Sequence, residues 1–516
     1  MLRTRITILA VAFLVACGVN PVTGKKELQL VGEETELKVG AENYAPSRQM
    51  QGGDYRIDPE LTRYVNGVGQ KLAAKSGRNL PYEFTVLNNS VPNAWALPGG
   101  KIALNRGLLT QLDNEAELAA VLGHEITHAA ARHGAKSMER GTFLQGALVA
   151  LSIGVRDNQY ANMIVGGAQV GAQLVTMRYG REAELEADEY GLKFMKEAGY
   201  DPAAAVSLQE KFVQLEKGKK AGWIDGLLAS HPPSQERVDK NRATAAKLGA
   251  GGDLGRERYQ TVLAGLKRTE PAYKKYDAGV EALVQGDDAK ALSLAQEAAK
   301  SEPREPKFVE LMGDVELKRK NYQTALDYYQ RELSLDGNYF KPYLQSAIAR
   351  YQLGERDQAK PLFAKSMELL PTATAAYYMG RYAQDGGDTE GALKYYQMAA
   401  GSESDVGRES GKQIAVLDLP RNPGNYLAAE ARVDGKGQVI LAIQNRAQVP
   451  VRAIEARVAI TNAAGQAIQG PVRVTSGTRT IAAGQIIELA TGLGPVTTQA
   501  QLAAVRWQFD KAAVAE

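Results

Sequence analysis

Three rhythms of apolar and polar positions follow one another along this chain. Over residues 54–250 the spacing is mostly helical, broken by two extended alternating runs, YEFTVLNN and KIALNRG, the second introduced by the turn LPGG. That mixture predicts an α+β body with a small sheet. Between residues 143 and 175 two segments, FLQGALVALSIGV and MIVGGAQVGAQLV, are apolar and rich in Gly and Ala. Each is shorter than the ~20 residues a spanning helix needs, so both are expected as packed helices. The Gly-rich KLGAGGDLGRER then reads as the start of a linker over 251–271.

The second rhythm is a repeat. Gly279, Gly313, Ala347 and Gly380 lie 34, 34 and 33 residues apart, and Ala291, Ala325, Ala359 and Ala392 keep the same intervals. Four residues after each of these alanines comes Ala295, Tyr329, Phe363 or Tyr396. Small residues where paired helices cross, with a larger one packing a turn later, resemble tetratricopeptide repeats. About four such repeats are expected over 272–405, as an all-α solenoid that binds a protein partner. After DLPRNPGN the period falls to two, in runs such as QVILAIQN and RAIEARVAITN separated by Gly, Asn and Pro, which predicts a small all-β sandwich over 420–516.

The ends and the charge refine this picture. MLRTRITILAVAFLVACG opens with basic residues, continues as an apolar run and ends in small residues before Cys17, as secretory signals do. Leu14-Val15-Ala16-Cys17 resembles a bacterial lipobox. The resemblance implies removal of the 1–17 signal region up to Cys17, lipidation of Cys17 and a periplasmic, lipid-anchored protein, with Gly18 pointing to the outer membrane. Cys17 is the only cysteine, so disulfides are excluded. Residues 18–53 read as an N-terminal arm. With 62 basic and 59 acidic residues the net charge is +3, and no broad basic field argues for nucleic acid.

Candidate chemistry concentrates in LGHEITHAAARHG, which holds three of the four histidines. Positions four apart share a helix face, so His124 and His128 can both address one metal ion, with Glu125 beside it. Asp113 or Asn114 can cap this helix. A catalytic zinc takes three protein ligands and an open position, so a third ligand must come from elsewhere. His133, five residues after His128, has rotated off the metal face. The carboxylates of YGREAELEADEYG are candidates that spacing alone does not separate, although Glu184 and Asp188 share a face.

Taken together, LGHEITHAAARH, REAELEAD and the upstream NAWALPGG resemble the HtpX-like and BepA-like zinc metallopeptidases. The resemblance implies a zincin-type domain holding one zinc ion through His124, His128 and Glu184. It makes Asp188 and Arg181 the residues supporting that set, with Gly180 standing where relatives carry serine. Glu125 then acts as general base for a zinc-activated water. His231, in ASHPPSQERV, is expected to visit the site either as a donor to the oxyanion or as a fourth ligand that holds the enzyme off. By the same resemblance Gly100, Lys101, Ile102 and Ala103 are expected to form an edge strand that pairs with the backbone of polypeptide substrates, and Trp95 lines the cleft or the core. The function expected is a zinc endopeptidase acting on misfolded or stalled envelope proteins. The alternative is an assembly factor or chaperone working through its repeats, with weak or latent peptidase activity.

Overall fold

A computed structural model describes residues 17–140, 178–217 and 230–515. The signal segment and the two apolar Gly/Ala-rich segments lie outside the described residues. No helix among the described residues is long and apolar enough to cross a membrane. The chain divides into two compact units that meet at Leu370 and Pro371.

The first unit opens with a hairpin of β1 (Cys17–Val19) and β2 (Lys26–Leu28), followed by helices α1 (Glu33–Met50) and α2 (Pro59–Ala73). Asp58 caps α2 and Pro59 sits at its first position, where the missing N–H costs nothing. A three-stranded sheet follows, from β3 (Glu83–Leu87), β4 (Ala94–Leu97) and β5 (Lys101–Asn105), in the order β3-β5-β4. β5 is parallel to β3 and antiparallel to β4. Lys101, Ile102 and Ala103, expected at an edge, therefore belong to the central strand, paired on both sides, while Gly100 lies in the turn before it. The strand overlooked is β4: its four residues are all buried, so it shows no alternation, and the turn residues around it disguise it as loop. Among the described residues β4 pairs only with β5.

Helix α3 (Glu115–Ala130) begins at Asn114, whose side chain accepts from the Glu117 N–H, and is buried along its whole length. It crosses α4 (Arg181–Glu197) at Gly123 and Gly191, where a Cβ on Gly123 would stand 2.9 Å from the Gly191 carbonyl oxygen. That contact requires glycine. Helices α5 (Ala203–Lys217) and α6 (Gln235–Leu248) complete the shell, with Ser234 capping α6. The arm grips the far end of α3. Glu36 of α1, 1% exposed, accepts from Arg78 at 2.9 Å and from Arg132 at 3.0 Å, and Arg132 ends α3 at φ 62°.

The expected linker at 251–271 is instead mostly helix. Only the short Gly-rich run is irregular, and α7 (Arg256–Gln285) spans 30 residues. Its first half carries Tyr259, Leu263 and Leu266 at helical spacing, and these join the same hydrophobic core as Leu61, Leu108 and Leu122. Its second half begins the repeats, so the peptidase-like body and the first repeat share one core. Helices α8 (Asp288–Ser301), α9 (Pro306–Lys318), α10 (Tyr322–Leu335), α11 (Phe340–Gln352) and α12 (Arg356–Leu369) follow as hairpins. Gly313 is required because a Cβ there would lie 2.6 Å from the ring of Tyr329, the small-against-aromatic contact expected from the repeat.

The second unit contains α13 (Ala373–Asp385), α14 (Thr389–Ala400), α15 (Asp405–Asp418) and two antiparallel sheets. One sheet has the order β10 (Ile486–Ala490), β7 (Val439–Asn445), β6 (Leu427–Val433). The other runs β11 (Val505–Val514), β8 (Val451–Thr461), β9 (Ala467–Thr475). Leu441, Ile443, Ile454 and Val458 pack in a core common to both sheets, which also takes in Leu419 after α15.

Candidate metal centre

Three elements bring four donors to one point. Helix α3 supplies His124 and His128 one turn apart, α4 supplies Glu184, and the segment before α6 supplies His231. The Nε2 atoms of His124 and His128 are 3.0 Å apart, and the Glu184 carboxylate lies 3.5 Å from each. His231 Nδ1 is 3.2 Å from both His124 Nε2 and Glu184 Oε1, and one donor atom from each of the four residues falls within 4.8 Å of the others. The opposite nitrogen of His231 reaches 3.5 Å from Glu125 Oε1. The Glu125 Oε2 atom is buried and has no hydrogen-bond partner among the described residues.

Hydrogen bonds behind the rings fix where their lone pairs point. His124 Nδ1 lies 2.9 Å from Asp188 Oδ1 and donates to it, which leaves Nε2 free toward the centre. Behind His128 stands His133, with 2.9 Å between their Nδ1 atoms, and His133 Nε2 is 3.2 Å from Glu186. With His133 donating to Glu186, its Nδ1 accepts from His128 and again leaves Nε2 of His128 free. His133 is off the metal face as its spacing requires, yet its ring orients a candidate ligand. Tyr179 stacks on His128 with ring centroids 4.0 Å apart.

Arg181 does not reach this cluster. It is exposed and paired with Glu236. Arg237 takes the expected place: Nε and Nη2 each hold Asp188 at 2.7 Å, and Nη1 lies 2.9 Å from Glu184. Only a faint signal marked it, since Arg237 stands three residues after the α6 cap and faces inward from the first turn. Trp95 belongs to the core, with its ring edge-on to Tyr44 at 6.0 Å.

The electrostatics suit a cation. Burial opposes the Glu184 and Asp188 anions, but the His231 and His124 rings around Glu184 and the Arg237 guanidinium on Asp188 hold both carboxyls below their usual range. Burial likewise opposes charge on His124, yet Asp188 and Glu184 raise that ring to about 10. Burial holds His128 and His133 below the ordinary histidine value and raises the Glu125 carboxyl. Without a metal, the two ionised carboxylates are matched by the Arg237 guanidinium and by a proton on His124, which sits where a cation would otherwise bind. A metal ion supplies that charge without a proton, so the donor set fits one.

Residues 59–245 match Peptidase family M48, and residues 276–339 match the Tetratricopeptide repeat. The chain is 28% identical over 360 residues to the beta-barrel assembly-enhancing protease of Yersinia pestis, covering 64% of this chain and 72% of that protein. It is 30% identical over 218 residues to the protease of the same name from Escherichia coli K12, covering 39% of this chain and 44% of that one. Metalloprotease YcaL of the same bacterium is 31% identical over 177 residues, 33% of this chain and 66% of that protein.

Proposed function

From a chain that carries a peptidase family M48 domain at residues 59–245 and tetratricopeptide repeats behind it, we propose a zinc-dependent endopeptidase of the bacterial envelope that cleaves misfolded or stalled periplasmic and outer-membrane proteins. The observation that carries this reading is the convergence of His124, His128, Glu184 and His231 beside the unpartnered carboxylate oxygen of Glu125. His124, His128 and Glu184 are the zinc ligands in this proposal. Asp188 and His133 orient the two imidazoles, and Arg237 holds Asp188 and Glu184. When bound, zinc lowers the pKa of a coordinated water toward ~7 and polarises the scissile carbonyl.

Glu125 takes the proton from the attacking water and returns it to the leaving amine. Its buried carboxyl, raised above the ordinary range, is closer to neutral pH as a base than an exposed glutamate would be. His231 is the fourth donor of the resting set and gives up that place when substrate enters. The edge open to a peptide backbone is β4 rather than the central strand that carries Lys101. Leu14-Val15-Ala16-Cys17 resembles a lipobox, and the proposal on that basis places the enzyme at the outer membrane, anchored through Cys17, with a client or partner engaged by the repeats.

Glu125→Gln tests the reading. It should lower casein or peptide hydrolysis at least about 1000-fold while leaving one zinc per chain, because the amide keeps the shape but accepts no proton. His231→Ala in the same assay should raise hydrolysis at unchanged zinc content. Retained activity in Glu125→Gln would sink the peptidase mechanism.

A further inference from the structure

Among the described residues, the N-terminal hairpin exposes apolar surface. Val19 is 56% exposed, Leu28 43% and Leu30 55%, within twelve residues of one another. Among the described residues of the first unit, most other large apolar side chains are buried or partly buried. The antiparallel register explains how this surface forms: Cys17 pairs with Leu28, Gly18 with Glu27 and Val19 with Lys26. Directly opposed residues share a face, and successive residues alternate, so Val19, Lys26 and Leu28 fall on one face with the register position of Cys17.

The other face is fixed to the enzyme. Asn20, fully buried, donates to the Ala131 carbonyl at 3.4 Å and to Glu27 at 3.1 Å. Lys136 binds Glu27 at 2.9 Å, and Glu139 accepts from the backbone N–H groups of Leu30 and Val31 at 3.0 and 2.9 Å. Ala131 caps α3, so the hairpin is seated on the end of the helix that bears His124 and His128. Only Gly18 and Val19 separate Cys17 from this anchorage, which leaves no flexible tether. Lys25 and Lys26 are exposed on the same hairpin, beside the apolar groups.

We propose that Val19, Leu28 and Leu30, flanked by Lys25 and Lys26, form a membrane-contact patch that seats the peptidase unit against an anionic lipid surface. The inference rests on the lipid anchor at Cys17 proposed above and extends it from a tether to a fixed orientation. Apolar side chains enter the headgroup boundary, while the lysines meet lipid phosphates, the two signals that together make interfacial binding stable. The metal-bearing helix is thereby held at a set height above the bilayer, and substrates reach it along the membrane surface.

Cys17 is the only cysteine of the sequence and carries the acyl chain in this proposal, so a single introduced cysteine can be labelled uniquely. Full-length acylated protein carrying Leu28→Cys or Leu30→Cys with an environment-sensitive fluorophore is placed in phosphatidylethanolamine–phosphatidylglycerol vesicles containing nitroxide lipids, with Glu60→Cys, at an exposed position of α2, as the control. Both hairpin labels should shift to the blue and be quenched at least about twofold relative to Glu60→Cys. Labels as wet as the control, on protein whose mass shows the acyl chains, overturn the patch and leave the anchor standing. A mature chain without acyl mass overturns the anchor, and the patch with it. Shielding before any vesicle is added, or only on adding a soluble protein, assigns the surface to protein and also overturns the patch.

Discussion

The metal centre and the ionisable cluster between α9, α10 and α11 are both buried and both crowded with charge, yet their polar atoms face different things. In the repeats, Lys307 holds Glu310 at 3.0 Å, Lys341 spans Glu310 at 2.9 Å and Asp314 at 2.6 Å, and Tyr329 donates to Asp314 at 2.9 Å. Each cation there meets an anion. Burial alone would raise Glu310, but Lys307 and Lys341 bring it down to about 2, while burial and Glu310 drive Glu332 up, so that Glu332 carries the proton between them. At the metal centre two imidazoles and a carboxylate converge on one point, whereas a buried carboxylate oxygen without a partner among the described residues is common to both clusters, on Glu125 and on Glu332. Closure of charge marks a structural network, and convergence of metal-ligating donors marks a binding site.

Removing one partner from the closed network should give the largest change in stability. Lys307 is buried over the Tyr339 ring and against Glu310, so Lys307→Met leaves part of a buried negative charge uncompensated. A loss of about 3 kcal/mol is expected, read by denaturant unfolding of the first unit, with zinc content and turnover per folded molecule unchanged. Altered zinc affinity in the folded variant would show that the two clusters are one system and end the contrast.

The contrast also explains what the sequence disclosed. His124, Glu125 and His128 were legible because one helix fixes their relations, and the repeat columns because a 34-residue period imposes the same contact several times. Glu184 needed a resemblance, since a carboxylate-rich helix offers five acids and geometry chooses among them only after α3 and α4 cross at Gly123 and Gly191. Arg237 in place of Arg181 was hidden for the same reason: two arginines lie on different helices, and only packing decides which one turns inward. The central position of β5 stayed unread because β4 is uniformly buried. The helix at 256–285 did so because its glycine-rich approach resembles a boundary. Local periodicity was readable, whereas partners drawn from distant segments were not.

At the open site a supporting residue should count for less than a ligand but more than a surface charge. Asp188→Asn keeps an acceptor for His124 Nδ1 yet removes the charge that Arg237 grips. Zinc affinity should fall about 10–100-fold, measured by competition with a chelator, while unfolding of the zinc-free protein changes little. Unchanged affinity would mean that Asp188 belongs to a closed structural network like that of the repeats.

The smallest effect separates the clusters by pH. Glu332 is fully buried with its carboxyl well above the ordinary range, chiefly from burial and next from Glu310. A group whose folded pKa is raised contributes stability that is fully present below its unfolded value, and loses it as pH rises toward the folded value. Between those limits folding takes up a proton. Glu332→Gln supplies a permanent donor toward Glu310 and needs no proton. It should therefore match the parent near pH 4 and exceed it progressively above pH 5, by about 1 kcal/mol or more at pH 8. Denaturant unfolding across that range reads the difference. A difference independent of pH would mean that Glu332 is ionised in the folded repeats, and the charge closure ascribed to this cluster would fail.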